Sequence, residues 1–546
     1  MISKIIFALL ILSKFLFSNI TFNEISESAG VSFPMNAMGV CLFDYNNDGW
    51  DDIFVANQEG DDLLFQNNGD MTFEEISVEA EVHTSGASKI ALAADYDADG
   101  YLDLFVGVAN NLSKLYHNEG NGTFIETSID VGIQHNGNIN GGSWGDYNDD
   151  GWIDLYIVNF GQQNFLYENN NGSFEDITQD VGAQGPMNDL NMMAVFFDYN
   201  NDGVMEILGT QDGYRGNYLL EMQMYGLYAN IASQNNILAN DLLQGMGMTI
   251  SDYNRDGWLD VYFSNLHQNM LFRNNGNNSF TDVSLETGAQ DPFASMTWGT
   301  NFLDADNDGW QDIYNNNLSG FAGVGNTFFK NLGDGTFIEA ASDVGLFSFN
   351  NGYGSAVSDL DHDGDIDIIA VGHSNSNGLL LYRNDTPLEN HWSDIILSGN
   401  YPNNHAIGVM LNVWTEDEMQ TSYIHAGCSY LSQDSFTQHF GLGIYDSIDS
   451  VVVHWPSQTT HYYNIPSGLI VTLFEDSICY PSGDTTFDNT LDILDIVACV
   501  SYIISDFVFD EYQLCLSDMT QDNQTDILDI VAMVNIVVNQ STLIKF

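Results

Sequence analysis

Positive charge is the property that this sequence has least of. Its 546 residues contain 10 Lys and Arg against 76 Asp and Glu, which gives a formal net charge of −66. A surface this acidic repels nucleic acid and anionic lipid, so neither is expected as a partner. Because salt screens the self-repulsion of such a surface, the composition predicts a bacterial source in a marine or other salty habitat.

Cysteine is scarce as well. Five cysteines in a chain of this length leave at least one unpaired, so disulfides are not the framework of the fold. We expect Cys41 to be a buried free thiol. A bridge among Cys479, Cys499 and Cys515 stays open.

Long apolar runs are missing after the first residues, so no membrane span is predicted. The start of the chain has Lys4 followed by the apolar run Ile5–Leu12. This pattern predicts a signal peptide over residues 1–18, cleaved near Ser18, and hence a secreted, extracellular protein.

One acidic loop of nine residues, by contrast, occurs seven times. The copies lie 51, 51, 52, 54, 52 and 55 residues apart, starting at Asp44, Asp95, Asp146, Asp198, Asp252, Asp304 and Asp359. Each has acid or amide oxygens at positions one, three, five and nine, and glycine at position six, where a sharp turn needs it.

Calcium takes six to eight oxygen ligands, which this pattern supplies together with a main-chain carbonyl at position seven. Seven solvated acidic turns without metal are the alternative, but seven copies in register favour Ca²⁺. The predicted side-chain ligands are Asp44, Asn46, Asp48, Asp52, Asp95, Asp97, Asp99, Asp103, Asp146, Asn148, Asp150, Asp154, Asp198, Asn200, Asp202, Glu206, Asp252, Asn254, Asp256, Asp260, Asp304, Asp306, Asp308, Asp312, Asp359, Asp361, Asp363 and Asp367.

An EF-hand does not explain these loops. It requires a bidentate Glu at position twelve, where this chain has residues such as Val55, Val106 and Ile157. Short β-branched and aromatic runs, typical of strands, follow each loop in place of a helix.

Repeats of about 40–50 residues with several strands each are typical of propeller blades. Asn-Gly and Asp-Gly hairpin signals follow the loop strands, as in LLFQNNGDMTFEEI from Leu63. Residues 21–26 resemble the closing strand of these hairpins, so we expect them to complete the last blade. The fourth unit departs between Gly213 and Gly245, where a short helix, a functional rim or simple drift stay open.

These loops resemble the FG-GAP/VCBS repeats, which are also found in the heads of integrin α-subunits. The resemblance covers residues 20–390 and implies a seven-bladed β-propeller. Asn46, Asn148, Asn200 and Asn254 at position three, and Glu206 at position nine, depart from the aspartate pattern but keep an oxygen ligand.

Residues 391–476 alternate strand-like runs with Gly, Pro and Asn breaks, which predicts a small β-domain. The segments GCSYLS (427–432), HFGLG (439–443) and VVVHWP (451–456) resemble the ASPIC/UnbV domain. That resemblance implies a module that commonly follows such propellers, without a defined reaction.

Residues 480–541 hold two further acidic loops, each followed by an apolar stripe at helical spacing. They resemble a type I dockerin, a small α-helical calcium-binding domain. The ligands that this resemblance implies are Asp484, Asp488, Asp492, Asp495, Asp518, Asp522, Asp526 and Asp529. Ile493-Leu494 and Ile527-Leu528 stand where cohesin-binding hydroxyl residues are expected, so they either pack the halves together, which we favour, or meet a cohesin-like receptor.

No catalytic residue is predicted. Ser143 in Gly-Gly-Ser-Trp-Gly has the spacing of a hydrolase nucleophile, but it falls at an ordinary strand position of the repeat. Scattered histidines such as His425, His439 and His454 are expected to be satisfied residues of the β-domain. Tryptophans at loop position seven are expected to pack between blades more often than to stack sugars.

Two functions remain from the sequence. The preferred one is a secreted calcium-binding protein that binds an extracellular glycan or protein without turnover. The alternative is a carbohydrate-active enzyme, or an accessory subunit, in extracellular polysaccharide degradation.

Overall fold

We analysed a computed structural model of the chain. It describes residues 20–543 apart from 85, 188, 214, 240–243, 292–294, 375–377, 388, 476, 480–484, 486–490, 492, 505–513, 515 and 521–523. The signal-peptide prediction therefore lies outside the described residues, as do Asp484, Asp488, Asp492 and Asp522. The described fold is mainly β.

Seven antiparallel units of four strands make up the first part of the chain. Each acidic loop joins the first strand of its unit to the second. The strands of units one to three are β2 Met35–Phe43, β3 Asp52–Asn57, β4 Leu63–Asn67 and β5 Phe73–Glu75; β6 Ser88–Ala94, β7 Asp103–Val108, β8 Lys114–Asn118 and β9 Phe124–Glu126; β10 Ile139–Gly145, β11 Asp154–Asn159, β12 Phe165–Asn169 and β13 Phe174–Asp176.

Units four to seven repeat this order. Their strands are β14 Asn191–Phe197, β15 Glu206–Gln211, β16 Tyr218–Gln223 and β17 Leu227–Asn230; β18 Gly245–Ser251, β19 Asp260–His267, β20 Met270–Asn274 and β21 Phe280–Asp282; β22 Ser295–Leu303, β23 Asp312–Asn317, β24 Thr327–Asn331 and β25 Phe337–Glu339; β26 Gly352–Ser358, β27 Asp367–Ser374, β28 Leu379–Asn384 and β1 Phe22–Glu24.

The units follow one another in a closed circuit. First strands of consecutive units lie side by side, and β26 of unit seven packs against β2 of unit one. The N-terminal strand β1 pairs antiparallel with β28, with Phe22 opposite Asn384. This pairing confirms that residues from the N-terminus complete the last unit, so the first and last parts of the circuit are held by main-chain hydrogen bonds.

The first and second strands are almost entirely apolar or uncharged and buried, so each unit packs on both faces. Every first strand has a register shift near its start, as between Ala37 and Gly39. A side chain at Gly39 would lie 2.0 Å from the carbonyl oxygen of Leu431, which belongs to the second domain. Glycine is thus required where the main chain of another domain passes the inner strand.

The fourth unit keeps its hairpin. β16 pairs with β17, and Met224, Tyr225 and Gly226 form the turn. Met224 and Tyr225 are 92% and 90% exposed. The described residues of this segment contain no helix, so the possibility of a short helix was wrong there. A tight turn takes the place of the Asn-Asn-Gly sequence of the other hairpins.

Short helices of four residues follow four of the fourth strands and, in unit six, the second strand β23. They are α1 Ser26–Ala29, α2 Ser128–Val131, α3 Ser284–Thr287, α4 Ser319–Ala322 and α5 Ala341–Val344. Each ends at a glycine in the left-handed conformation, for example Gly30 at φ 84°.

The second domain is a pair of four-stranded sheets, with orders β32-β29-β35-β36 and β31-β30-β33-β34. β29 and β35 are parallel, and the other neighbours are antiparallel. Its strands are β29 His391–Ser398, β30 Met410–Thr415, β31 Glu418–Tyr423, β32 Gln438–Gly443, β33 Ser447–His454, β34 Thr459–Pro466, β35 Ile470–Phe474 and β36 Ser477–Cys479.

Two helices near the C-terminus, α6 Ile493–Ile504 and α7 Ile527–Leu543, pack on each other. Cys499 and Met533 form the buried centre of this contact. No helix among the described residues is both long and apolar enough to span a membrane.

Candidate metal centres

Each acidic loop is folded around the aspartate at position one. In the first loop, Asp48 N donates to Asp44 Oδ1 at 3.1 Å and Gly49 N donates to Asp44 Oδ2 at 2.7 Å. The same pair of bonds recurs in the other loops, with the acceptors Asp95, Asp146, Asp198, Asp252, Asp304 and Asp359. The main chain therefore holds the first predicted ligand in place without help from a metal.

Two residues of every loop are left-handed. The glycine at position six has φ between 82° and 92°, and the residue at position four has φ between 55° and 59°. Position four is held by Asn47, Ala98, Asp149, Asn201, Arg255, Asn307 and His362. Sequence reasoning missed this position, although its Asn, Asp and His residues are the ones that adopt this conformation most readily.

The acid at position nine is the first residue of the second strand and is fully buried. Asp52 accepts bonds from Tyr45 N at 3.1 Å and Asn67 N at 2.8 Å. In loop two, carboxylate oxygens of Asp95, Asp97 and Asp103 all lie within 4.8 Å of one another. The predicted ligands from positions one, three and nine are thus brought together, as the spacing required.

Several of these oxygens have no partner. Asp97 Oδ1, Asp361 Oδ1 and Asp260 Oδ2 are buried and accept no hydrogen bond. An unpaired buried oxygen costs free energy, so these atoms are suited to a cation that lies among them.

The clustering of acids also changes their titration. Burial, with repulsion from Asp48, raises the pKa of Asp44 to about 7. Burial likewise raises the pKa of Asp146 to about 6 and that of Asp252 to about 7. Without a bound cation, these loops hold protons that exposed carboxylates would have released.

One residue of the third strand faces each loop and differs from unit to unit. It directly follows the residue that pairs with the first residue after the loop. In unit three, that first residue is Leu155, which pairs with Tyr167, and Glu168 follows Tyr167. We call it the facing residue. The seven facing residues are Gln66, His117, Glu168, Glu221, Arg273, Lys330 and Arg383. Three of the ten basic residues of the chain occupy this one position.

In the sixth loop the facing residue occupies the place of a cation. Lys330 Nζ lies 2.8 Å from Asp306, 2.9 Å from Asp308 and 3.3 Å from Asp312. Although burial opposes its charge, Asp312 and its neighbours hold the pKa of Lys330 well above the ordinary value. An ammonium thus contacts three of the four predicted ligands of this loop.

In the third loop the facing residue is a further carboxylate. Glu168 accepts a bond from Tyr147 Oη at 2.7 Å and lies 3.3 Å from Asn148 Nδ2. His117, which faces the second loop, is intermediate between these two cases. Its imidazole Nδ1 lies 3.1 Å from Asp103 and 3.3 Å from Asp97.

The donor set of the loops fits a hard divalent cation wherever no ammonium lies among the ligands. All donors are carboxylate, amide or main-chain oxygens, the ligands of calcium. Positions one, three, five and nine would hold the ion, and Glu168 and Glu221 add negative charge beside loops three and four.

The second domain packs on the face of the circuit that carries the loops. Asn404 Nδ2 donates to Asp95 Oδ2 at 3.2 Å, and Arg255 of loop five lies 2.6 Å from Glu418. His439 bridges Asn307 of loop six at 2.6 Å and Asp394 at 2.7 Å. Burial alone would lower the pKa of His439, but the charge of Asp394 raises it.

A segment of the second domain, residues 424–437 between β31 and β32, enters the centre of the circuit; we call it the plug. Its main chain bonds to Trp144 of unit three, Met248 of unit five and Leu42 of unit one. Gln433 exchanges side-chain bonds with Ala93 of unit two at 3.0 and 3.2 Å. No sequence signal marked this contact, although GCSYLS had been noted as a motif.

The remaining predictions have mixed outcomes. Ser143 is buried in β10 and its Oγ donates to the Ala426 carbonyl at 3.0 Å, as an ordinary strand residue. Trp50 stacks on His362 of the neighbouring loop, with ring centroids 3.9 Å apart, which confirms packing between units there. His425 was wrongly expected to be satisfied, because its Nδ1 is buried without a partner.

In the C-terminal pair, Asp529 is buried and accepts bonds from Thr520 N and Asp526 N at 2.9 and 2.7 Å. Ile493, Ile527 and Leu528 are 67%, 62% and 55% exposed. The expectation that these three side chains pack the halves together is wrong, since other residues such as Cys499, Met533 and Ile530 make the contact; the side chain of Leu494 lies outside the described part of the chain. Cys41, Cys428 and Cys499 are free thiols, and Cys41 is buried, as expected.

Two families match parts of this sequence. An FG-GAP-like repeat matches residues 44–106, 95–157, 146–209 and 252–315, and the ASPIC and UnbV family matches residues 399–478. The chain carries FG-GAP repeats and an ASPIC/UnbV domain.

Cartilage acidic protein 1 is similar to part of this chain. The Xenopus tropicalis protein is 27% identical over 289 residues, 51% of this chain and 43% of its own length. The Homo sapiens protein is 27% identical over 256 residues, 45% of this chain and 38% of its own length. The chain thus spans about two fifths of the length of these relatives.

Two solved structures are distantly similar to this chain. A BBS1N chain, in complex with ARL6DN, has a TM-score of 0.43 at 10% identity over 68% of this chain and 98% of its own. YCF48 from Cyanidioschyzon merolae has a TM-score of 0.40 at 11% identity over 66% of this chain and 98% of its own. Neither supports a statement about function.

Proposed function

We propose that the protein is a secreted calcium-binding protein whose seven-bladed β-propeller binds an extracellular glycan or protein without turnover. The observation that carries this proposal is the set of preformed acidic loops. Their main chain fixes the aspartate at position one, and buried carboxylate oxygens such as Asp97 Oδ1 and Asp260 Oδ2 lack partners.

Calcium in this proposal occupies the loops unequally. Loops three and four, faced by Glu168 and Glu221, bind it most tightly because their negative charge is largest. Loop six binds none, because Lys330 supplies the positive charge from within the chain.

Calcium also acts on the second domain. Asn404, Arg255 and Asn307 connect the loops to that domain directly. Binding of calcium therefore stabilises the loop surface on which the ASPIC/UnbV domain packs. The C-terminal helices stay available to a receptor through exposed Ile493, Ile527 and Leu528.

The extracellular glycan or protein binds the face of the circuit opposite the acidic loops, because the second domain covers the face that carries them. Phe347 and Phe349 lie there, just before β26, and are 46% and 63% exposed, with their rings 5.0 Å apart. An exposed aromatic pair is suited to stack on a sugar or to anchor a protein partner.

Elemental analysis of the purified chain after gel filtration in trace calcium tests the metal. We expect several ions per chain and a melting temperature that falls on chelation. Retention of no calcium, with an unchanged melting temperature in chelator, would contradict the proposal.

Arrays of extracellular glycans and matrix proteins test the binding. F349S should weaken binding to any ligand found, whereas Y463S, which removes a 62% exposed ring from the second domain, should leave it unchanged. Equal loss in both variants, or turnover of an arrayed polysaccharide, would overturn the assignment.

A further inference from the structure

A second kind of metal-ligating cluster lies inside the plug and uses none of the ligands of the acidic loops. Ligand atoms of His425, Cys428 and Asp434 lie within 4.8 Å of one another. Cys428 Sγ is 3.0 Å from Asp434 Oδ2. Atoms bound to one ion by bonds of about 2.0–2.3 Å lie at most about 4.6 Å apart, so small side-chain movements bring all three onto a common centre.

The circuit holds the carboxylate of this cluster in a fixed orientation. Asp434 Oδ1 accepts a bond from Asn301 Nδ2 at 2.8 Å and another from Val357 N at 2.9 Å. Both donors belong to the inner strands of units six and seven. The other oxygen, Oδ2, is thereby aimed at Cys428, as an outer shell of hydrogen bonds orients a ligating carboxylate.

The histidine of the cluster lacks the partner that a buried imidazole needs. His425 Nδ1 is buried and makes no hydrogen bond. Leaving a buried polar atom without a hydrogen bond is unfavourable, so such an atom is suited to a ligand. His439, in β32 just after the plug, has both ring nitrogens bonded, whereas Nδ1 of His405 is unpaired like that of His425.

A cavity adjoins the cluster. It measures about 110 Å³ and lies between units five to seven and the second domain. His425 and Asp434 line it together with Asp252 and Asp304, the first aspartates of loops five and six, and with neutral polar groups such as Thr249, Ser358 and Gln438. It provides room for a water molecule or a small solute beside His425 and Asp434.

We propose that His425, Cys428 and Asp434 bind one Zn²⁺-like transition-metal ion, with a fourth position open to the cavity. Thiolate, imidazole and carboxylate together select zinc over calcium, which prefers oxygen donors alone. Three protein ligands and an open position are the arrangement in which zinc binds and polarises a small molecule. This centre is chemically distinct from the acidic loops and does not depend on the function proposed for them.

Cobalt(II) is the probe that tests this site. The full chain is stripped of transition metals, saturated with calcium to fill the oxygen sites, and titrated with Co²⁺. We expect one Co²⁺ per chain with a near-ultraviolet thiolate charge-transfer band, and displacement of that band by one equivalent of Zn²⁺. Titration without any thiolate band would overturn the proposal, because the cysteine would then be only a hydrogen-bond donor to Asp434.

Two pairs of variants make the result specific. C428S should abolish the charge-transfer band, and H425Q should weaken Co²⁺ binding at least tenfold. The matched controls are C499S, at a buried free thiol elsewhere, and H405Q, at a histidine whose buried Nδ1 also lacks a partner but which belongs to no group of candidate metal ligands among the described residues.

Both controls should bind Co²⁺ as the unchanged chain does. Equal affinity in H425Q and in H405Q would overturn the site. Should C428S fail to fold, H425Q decides alone, since Gln keeps the size of the side chain and its effect is read as a Co²⁺ affinity at a confirmed melting temperature.

Discussion

The third and sixth acidic loops have the same fold and opposite facing residues. Both wrap two N–H groups around the first aspartate and bury the acid at position nine. Glu168 adds a carboxylate to the one, whereas Lys330 inserts an ammonium into the other. Two repeats that read alike in the loop therefore differ in the charge that faces their buried acids, which is negative in the third loop and positive in the sixth.

This difference teaches that a metal-binding pattern is complete only with its surroundings. A cluster of buried acids requires a counter-charge, which comes either from a cation in solution or from a basic side chain of the protein itself. Arg273 and Arg383 lie between these extremes: burial raises the pKa of Asp256 and of Asp361, and the two guanidinium charges oppose part of this rise.

Removal of calcium acts on all the calcium-binding loops at once, and we expect it to have the largest effect. Each site saturated at about a hundred times its Kd contributes about 2.7 kcal/mol, so chelation of several loops together should lower the melting temperature strongly. Calorimetry with and without chelator measures this. Hydrogen exchange should rise at Trp152 in loop three and stay protected at Trp310 in loop six; equal deprotection of both would refute the internal cation.

Changing pH in chelator should have the next largest effect, because several loops titrate together. The carboxyls of Asp44 and Asp252 have pKa values of about 7 in the folded chain, above those of exposed aspartates. The folded state therefore binds protons more tightly than the unfolded state. This contribution is present at low pH and is lost as the pH rises towards about 7.

Melting in chelator should accordingly occur at higher temperature near pH 5 than near pH 8. With calcium present the order should reverse, since protons compete with the metal for the same oxygens. Identical pH profiles with and without calcium would contradict this expectation.

K330M should be the most damaging single substitution in these loops when calcium is absent. Removing one partner of a buried ion pair costs about 3–5 kcal/mol, because Asp306, Asp308 and Asp312 are left unpaired. K114M, which removes an exposed pair with Glu126 at 3.2 Å, should cost at most about 1 kcal/mol. Chemical denaturation in chelator measures both.

The same variant should gain a calcium ion. Without the ammonium, the sixth loop has the same oxygen donors as its neighbours, so elemental analysis should find one more ion per chain in K330M. An unchanged ion count would show that the loop lacks a complete set of ligands for another reason.

E168K should have the smallest effect on stability, and it should change the number of bound calcium ions in the direction opposite to K330M. A lysine facing loop three places an ammonium beside Asn148 and should remove one calcium ion per chain. D180K makes the same change of charge on an exposed residue of the same unit and should keep the full number. Equal ion counts in the two variants would show that the facing residue does not select the cation.

Much of this structure could be read from the residues in order. The constant spacing of Asp44, Asp95 and Asp146 predicted the units. The likeness of residues 21–26 to a closing strand predicted that they complete the last unit, which the pairing of β1 with β28 confirms. Such features depend on local conformation and on a repeat, which are both visible along the chain. The left-handed residue at position four was visible too, in Asn47 and its counterparts, but was overlooked.

Other features required the folded chain. Lys330 stands 18 residues beyond Asp312 in sequence, and only the pairing of β23 with β24 places its Nζ 3.3 Å from that carboxylate. Likewise, nothing near Asp434 in sequence indicates Asn301 or Val357, which orient it. Partners that meet across strands leave no pattern in a local stretch of residues.

The order of residues thus specified the loops, because each is closed by its own main chain and a left-handed glycine. The docking of the second domain, the entry of the plug between Trp144 and Met248, and the source of each loop's positive charge were decided only when distant segments packed together. The physical reason is range: turn geometry acts over a few residues, whereas burial and charge pairing join atoms that are hundreds of residues apart.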